Sequence, residues 1–307
     1  MRPVLIALLA ALAVAPAAHA EPRFRDIGPV VDGPYTDGHR WAAWSPVLGK
    51  LTLFDTERGR AWTQPLRPEC HPAAVGGGRL LLACARPAYP DESYRRPLLV
   101  DLRTGASWEP PGVDAALAPI PSASDQGVRW TGVGRSWLHF VRSGYHWQIS
   151  GYLDIASGRL ASDPASPVRQ PSLDAPGLLV RLCSPLHRPL NPNNDVSMAE
   201  DPRLTLDYEP PWALVRAPDG TVALAHCGRT TKRALCNGVC DAALSAGVVT
   251  WSTPRELNAL VLATGQALRW RGSFQLPVHT ANRVFATRWR AGAGRRLLMA
   301  RLPSVNK

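Results

Sequence analysis

Lysine is scarce in this sequence and occurs only at positions 50, 232 and 307. The basic excess, a net charge of +11, is therefore carried by arginine. The arginines are scattered singly, and no run of five or more basic residues exists. A nucleic-acid-binding chain would gather its charge into a patch or a stripe, so nucleic acid is not expected as a partner. The arginine bias, with abundant alanine and proline, reads as the coding habit of a high-GC genome.

Helical patterning is also nearly absent. Thirty prolines and twenty-five glycines break the chain into short runs of Val, Leu, Trp and Thr. Several catalytic motifs are missing: G-x-S-x-G, H-E-x-x-H, the phosphate-binding P-loop and the dinucleotide fingerprint. The C-x-x-C-H haem site is missing too. No cofactor and no metal are expected, and Cys236 and Cys240 lack the C-x2-C spacing of a zinc site.

One long apolar run is present, from Val4 to about Ala18. Arg2 precedes it, and Ala18-His19-Ala20 follows as a small-x-small cleavage site. We read residues 1–20 as a signal peptide and 21–307 as a single domain. The run is shorter than the roughly 20 residues that span a bilayer, and no later stretch is long enough. The expected product is a monomer without a transmembrane segment, secreted or associated with the cell envelope.

All six cysteines lie after the cleavage site, and an even number suits an oxidising compartment. Cys70 and Cys84 flank the Gly76-Gly77-Gly78 turn almost symmetrically, which predicts a disulfide across a hairpin. The other four cysteines allow three pairings; in one, Cys227 and Cys236 close a hairpin around residues 228–231 and leave Cys183 to pair with Cys240.

The chain is repetitive. A glycine followed six residues on by an aromatic or a cysteine occurs at Gly38/Trp44, Gly78/Cys84, Gly134/Phe140 and Gly177/Cys183. Looser copies end at Trp251 and Trp289. Each reads as a turn feeding a buried strand, with the last side chain packed between sheets. An apolar strand closed by an Asp-x-x-x-Gly turn follows at Asp55–Gly59, Asp101–Gly105 and Asp154–Gly158. The carboxylate can cap the N–H groups of such a turn, so these aspartates read as structural.

Each unit is thus four short antiparallel strands, and six units can be counted. The expected fold is all-β: a β-propeller of six four-stranded blades, with a seventh blade or a β-sandwich pair as alternatives. The last unit stops after its third strand, and residues 23–27 are expected to supply the fourth. Unit four is irregular, with an insertion around 184–212 and an extra hairpin over 221–236.

In these turns the chain resembles secreted bacterial β-propellers of the TolB-like and YVTN-like kind. The stretch Ala243–Ser252 is similar to the entry strands of propellers exported by high-GC actinobacteria. The resemblance implies a scaffold for binding proteins, glycans or ligands, and sometimes for catalysis.

Aromatic residues stand out as candidates for function. Trp44, Trp251 and Trp289 fit the repeated core position. Trp130, Trp137, Tyr145, Trp147, Tyr208 and Trp212 do not, and they gather near the long insertion. We take Tyr145, Trp147, Tyr208 and Trp212 as ligand-binding residues. The function expected is non-catalytic: binding a protein or glycan partner outside the cytoplasm. The alternative is a hydrolase or lyase in the central channel, for which His71, His146, His187 and His226 are the candidate cluster.

Overall fold

Short apolar runs joined by tight turns pair with their neighbours in sequence, and local antiparallel pairing dominates this molecule. The computed structural model describes residues 23–85, 95–118, 125–144, 148–162, 205–209, 211–216, 220–226, 232–238 and 240–303. Among them stand six four-stranded antiparallel sheets, the blades of a β-propeller.

Blade 1 is β2 (Asp32–Thr36), β3 (Trp41–Ser45), β4 (Lys50–Asp55) and β5 (Arg60–Pro65). Blade 2 is β6 (Cys70–Gly76), β7 (Arg79–Cys84), β8 (Arg96–Asp101) and the short β9 (Ser107–Trp108). Blade 3 is β10 (Asp125–Val133), β11 (Trp137–Gly144), β12 (Gln148–Asp154) and β13 (Leu160–Ser162). Blade 4 is β14 (Thr205–Glu209), β15 (Trp212–Arg216), β16 (Val222–His226) and β17 (Lys232–Cys236). Blade 5 is β18 (Ala242–Ser245), β19 (Val248–Thr253), β20 (Glu256–Val261) and β21 (Gln266–Arg271). Blade 6 is β22 (Gln275–Thr280), β23 (Arg283–Arg290) and β24 (Gly294–Arg301), completed by β1 (Arg25–Pro29) from the start of the chain. The expected closure by the N-terminal segment is therefore what holds β24, whose edge would otherwise be open.

Each strand of a blade's middle must bury both faces, because a blade has a neighbour on either side. In β3 all five residues are buried. Trp41 and Ala43 pack towards blade 2, while Ala42 and Trp44 pack towards blade 6. Separate apolar clusters fill the seams between blades 1 and 2, 2 and 3, 4 and 5, 5 and 6, and 6 and 1. Residues 163–204, between blades 3 and 4, lie outside the described residues. A five-residue helix, α1 (Val113–Leu117), buries Val113, Ala116 and Leu117 in the seam between blades 2 and 3.

One backbone bond fixes the equivalence of the blades. The residue after strand three donates to the residue before strand two. The pairs are Thr56–Arg40 (2.9 Å), Leu102–Gly78 (3.0 Å), Ile155–Ser136 (2.8 Å), Leu262–Gly247 (2.8 Å) and Leu302–Asn282 (3.0 Å). Superposed on that bond, Trp44, Leu82, Phe140, Trp251 and Ala286 share one position. Two expectations are corrected here. Cys84 lies two residues past the repeated position, and Trp289 lies three past it. Trp289 is accordingly 71% exposed rather than packed between sheets.

The aspartate turns behave as their spacing requires. Asp55 Oδ1 accepts from the backbone of Glu57 and Arg58, each at 3.1 Å. Asp101 accepts from Arg103 at 2.9 Å and Thr104 at 2.8 Å. Asp154 accepts from Ala156 at 3.1 Å and Ser157 at 2.7 Å.

Blade 4 differs from the sequence reading. Its first strand is the one carrying Asp207, and the hairpin over 221–236, expected as an extra one, is its ordinary third and fourth strands. The unit at Gly177–Cys183 lies outside the described residues.

Candidate functional site: the loop-bearing face

The two ends of the propeller differ. At one end, strands one and two, and strands three and four of blades 1, 2, 3 and 5, are joined by tight turns. We call it the turn face. At the other, strands two and three are joined, and each blade passes to the next. The long connections leave from this loop face: residues 85–95, 109–124 and 163–204.

The roots of these connections are tied down. Cys70, at the start of β6, is disulfide-bonded to Cys84, at the end of β7, with 3.9 Å between their Cα atoms. They are cross-strand partners, as the symmetric spacing about Gly76–Gly78 predicts. Next to them, the Arg95 guanidinium meets the His71 ring. The buried Trp130 donates its indole N–H to the Arg95 carbonyl at 2.8 Å. Trp130 is thus an anchor, not an exposed binding aromatic. Arg96 pairs with Glu109 and, at 2.7 Å, with Asp114, fixing the chain on either side of the entry to α1. Arg142 donates to the carbonyl of Ala118 where α1 ends.

A second disulfide joins Cys236 to Cys240, across the passage from blade 4 to blade 5. This overturns the expected Cys227–Cys236 and Cys183–Cys240 pairings. The reason is geometric: Cys236 ends the outermost strand at the loop face, where Cys240 begins the next blade. His226, the last residue of β16, stands at the opposite end. Cys183 and Cys227 lie outside the described residues. Both observed disulfides therefore sit on the loop face, Cys70–Cys84 at the foot of the 85–95 connection and Cys236–Cys240 across the short passage into blade 5.

The expected binding aromatics fall at two places. Tyr145 and Trp147 lie outside the described residues, in the connection whose flanking positions, Gly144 and Gln148, stand at the loop face. Tyr208 is on β14, its backbone opposite Ala213. Trp212 begins β15 at the turn face, half-buried, with its ring edge-on to His226 at 4.7 Å. The structure does not bring Trp212 to the end of the blades where the first pair's connection begins.

The histidines do not gather either. His71 is at the loop face of blade 2 and His226 at the turn face of blade 4, while His146 and His187 lie outside the described residues. Among the described residues, no three His, Cys, Asp or Glu side chains form a metal-holding group. The buried histidine that the sequence reading passed over is His279. Its Nε2 lies 2.8 Å from Ser245 Oγ and its Nδ1 lies 3.1 Å from Thr250 Oγ1. Burial pushes its pKa down to about 4. Gly38 of blade 1 covers Ser245: a Cβ on Gly38 would come within 2.3 Å of the Ser245 Cβ. This Ser–His pair is a joint between three blades at the turn face, with no carboxylate among its partners.

No family model matches the chain, and no curated protein matches it in sequence. Solved structures do match in fold. The β-propeller domain of the Trilobed protease from Pyrococcus furiosus is similar over 90% of this chain and 94% of its own, at 12% identity and a TM-score of 0.52. PorZ, an essential bacterial surface component of the type-IX secretion system of Porphyromonas gingivalis, is similar over 92% of this chain. The match covers 39% of PorZ, at 11% identity and a TM-score of 0.51. The fold is a β-propeller. The Pyrococcus domain is described as having an open velcro topology, whereas here β1 completes the last blade. At such identities the likeness speaks for the fold alone.

Proposed function

We propose that this is an exported, non-catalytic propeller that binds a protein or glycan partner through the loop face of blades 2 to 4. The observation that carries this reading is the asymmetry of the two ends. Tight, repeated turns occupy one end. Long connections leave the other, and the Cys70–Cys84 disulfide stands at the foot of the 85–95 connection. Binding residues concentrate on loops held by a rigid scaffold, and stapled loop roots keep such loops in place when a partner is engaged. Export, read from residues 1–20, supplies the oxidising compartment in which disulfides persist.

In this reading, Tyr145 and Trp147 supply the aromatic contacts, and the 184–202 stretch of the insertion contributes the polar ones. The test is a glycan array and a pull-down from envelope extract with the chain lacking residues 1–20. A specific ligand should be retained by this protein and lost on deleting 186–202 or on Tyr145→Ala with Trp147→Ala. Binding that survives both changes would place the site elsewhere.

A further inference from the structure

Among the described residues, six large apolar ones are exposed, and five of them stand at the loop face: Val31, Val47, Leu48, Leu276 and Trp289. Four of these converge on the seam between blades 6 and 1. The connections are explicit. Trp289 is the cross-strand partner of Arg295. Arg295 donates to the carbonyl of Val31 at 2.7 Å, and the N–H of Val31 donates to Ser45 at 2.8 Å. Ser45 leads directly into the Val47–Leu48 turn, closed by Lys50 N–H to Val47 O at 3.2 Å. Leu48, at the apex, is 90% exposed.

The charge around this seam is one-sided. Asp26 is already held by Arg290 and Arg296, and Glu256 by Arg269. Asp32 accepts from Tyr35, and Asp241 from the backbone of Leu276. Lys50, Arg255, Arg271 and Arg288 are exposed and have no carboxylate partner among the described residues.

We propose that this end of blades 6 and 1 docks on an anionic lipid bilayer. Leu48, Val47, Val31 and Trp289 enter the headgroup region, and the surrounding cations meet lipid phosphates. The shape selects a bilayer over a protein partner. The apolar side chains project from a turn and a strand end instead of lining a groove. A bilayer interface accepts projecting apolar side chains and favours tryptophan at headgroup depth. Its negative surface potential attracts a basic patch. The chain's net charge of +11 also opposes a second copy as occupant. The patch is built on blades 6 and 1, so it is separate from the partner-binding region proposed above on blades 2 to 4.

The test is flotation of the chain lacking residues 1–20, which leaves every described strand in place. The vesicles are phosphatidylcholine with phosphatidylglycerol, compared with phosphatidylcholine alone. Binding is expected only to the anionic vesicles, weakening as salt shortens the screening length. The V47S/L48S variant and, separately, W289S should each lower partitioning about tenfold while leaving the melting temperature unchanged. Absence of binding to anionic vesicles overturns the proposal, as does binding indifferent to both variants. Polyglutamate held more tightly than the vesicles would instead assign the patch to an acidic protein.

Discussion

Nε2 of His279 lies 2.8 Å from the hydroxyl of Ser245 and 2.9 Å from its carbonyl oxygen, joining blade 6 to blade 5. The ring is fully enclosed. A carbonyl can only accept, so the hydrogen-bond pattern assigns Nε2–H as donor and leaves Nδ1 to accept from Thr250. The neutral ring fits this network, and among the described residues no carboxylate bonds to the ring. Burial lowers the pKa from 6.5 to about 4. His139 is depressed to about 4 by burial as well, with Thr131 Oγ1 at 2.7 Å from Nδ1.

The pH dependence follows with a definite sign. Above about pH 6.5 both histidines are neutral, folded or unfolded, and no stability is lost. Between about pH 6.5 and pH 4 the unfolded chain takes up protons that the folded chain refuses. Stability therefore falls as pH falls, by on the order of 3 kcal/mol per histidine over the whole window. Urea melts at about pH 7, 5.5 and 4.5 should show this slope. His279→Gln should be less stable at neutral pH and should flatten part of it. A slope unchanged by that variant would remove His279 from the explanation.

Gly38 answers to the same joint. Its φ is +77°, and an added Cβ would sit 2.3 Å from the Ser245 Cβ. Gly38→Ala thus meets both a left-handed backbone and a clash with the stem of a buried-side neighbour. The backbone alone costs about 1–2 kcal/mol, and the clash adds to it. Gly59 has a φ of +66° and open space around it, so Gly59→Ala carries only the backbone term. Thermal melts should rank Gly38→Ala well below Gly59→Ala.

The three turn aspartates look alike in sequence but should not be alike in weight. Asp55 also takes a bidentate pair from Arg40, with Nη2–Oδ2 at 2.6 Å and Nε–Oδ1 at 3.0 Å. Burial pushes the Asp55 carboxyl up, but Arg40 and the turn N–H groups outweigh it and hold the pKa below the usual value. Among the described residues, the Asp154 carboxylate accepts from its own turn and Ser157 alone. Asp55→Ala should cost about 2–3 kcal/mol and Asp154→Ala about 1 kcal/mol. Denaturant midpoints check the order. Equal losses would mean that Arg40 adds nothing.

Why some of this was legible in the sequence and some was not comes down to range. The Asp-x-x-x-Gly turn is closed by atoms within five residues, so its spacing states its structure. The Cys70–Cys84 bridge is likewise local, being fixed by one hairpin. The position of Trp289 is not local. Counting six residues from a turn residue assumes turns of equal length, yet Gly38 lies two residues before Arg40 while Gly78 itself occupies the equivalent site. The count slipped, and an exposed tryptophan read as a core one. The loop face escaped for a related reason. Val31, Leu48 and Trp289 are far apart in sequence, and only the closing of blade 6 on blade 1 brings them together.

Disulfide connectivity gives a direct check on that local logic. Peptide mapping of the unreduced protein should recover Cys70 linked to Cys84 and Cys236 linked to Cys240. A Cys227–Cys236 peptide would contradict the arrangement of blade 4. Removing the first bridge as Cys70→Ser with Cys84→Ser should cost about 3 kcal/mol, the value for a loop of roughly 15 residues.

The strongest dependence should lie at the other end of the chain. β1 pairs with β24 from Arg25–Met299 to Pro29–Arg296. Asp26 holds Arg296 at 3.0 Å and Arg290 at 3.3 Å. Phe24 packs on Trp270 and Phe274, with ring centroids 5.1 and 5.2 Å away. The residue after the strand, Val30, is buried with Phe285, Leu297, Trp44 and Phe54. The strand thus seals the seams on both sides of blade 6 and covers a sheet edge. Starting the chain at residue 30 would uncover the edge of β24 while leaving blades 1 to 5 intact in sequence. Such an edge pairs with other chains, so this truncation should aggregate and lose cooperative unfolding. Starting at residue 23 should change neither. Size-exclusion chromatography with a thermal melt separates the two. A monomeric, cooperatively melting chain that begins at residue 30 would show that the ring holds without its closing strand.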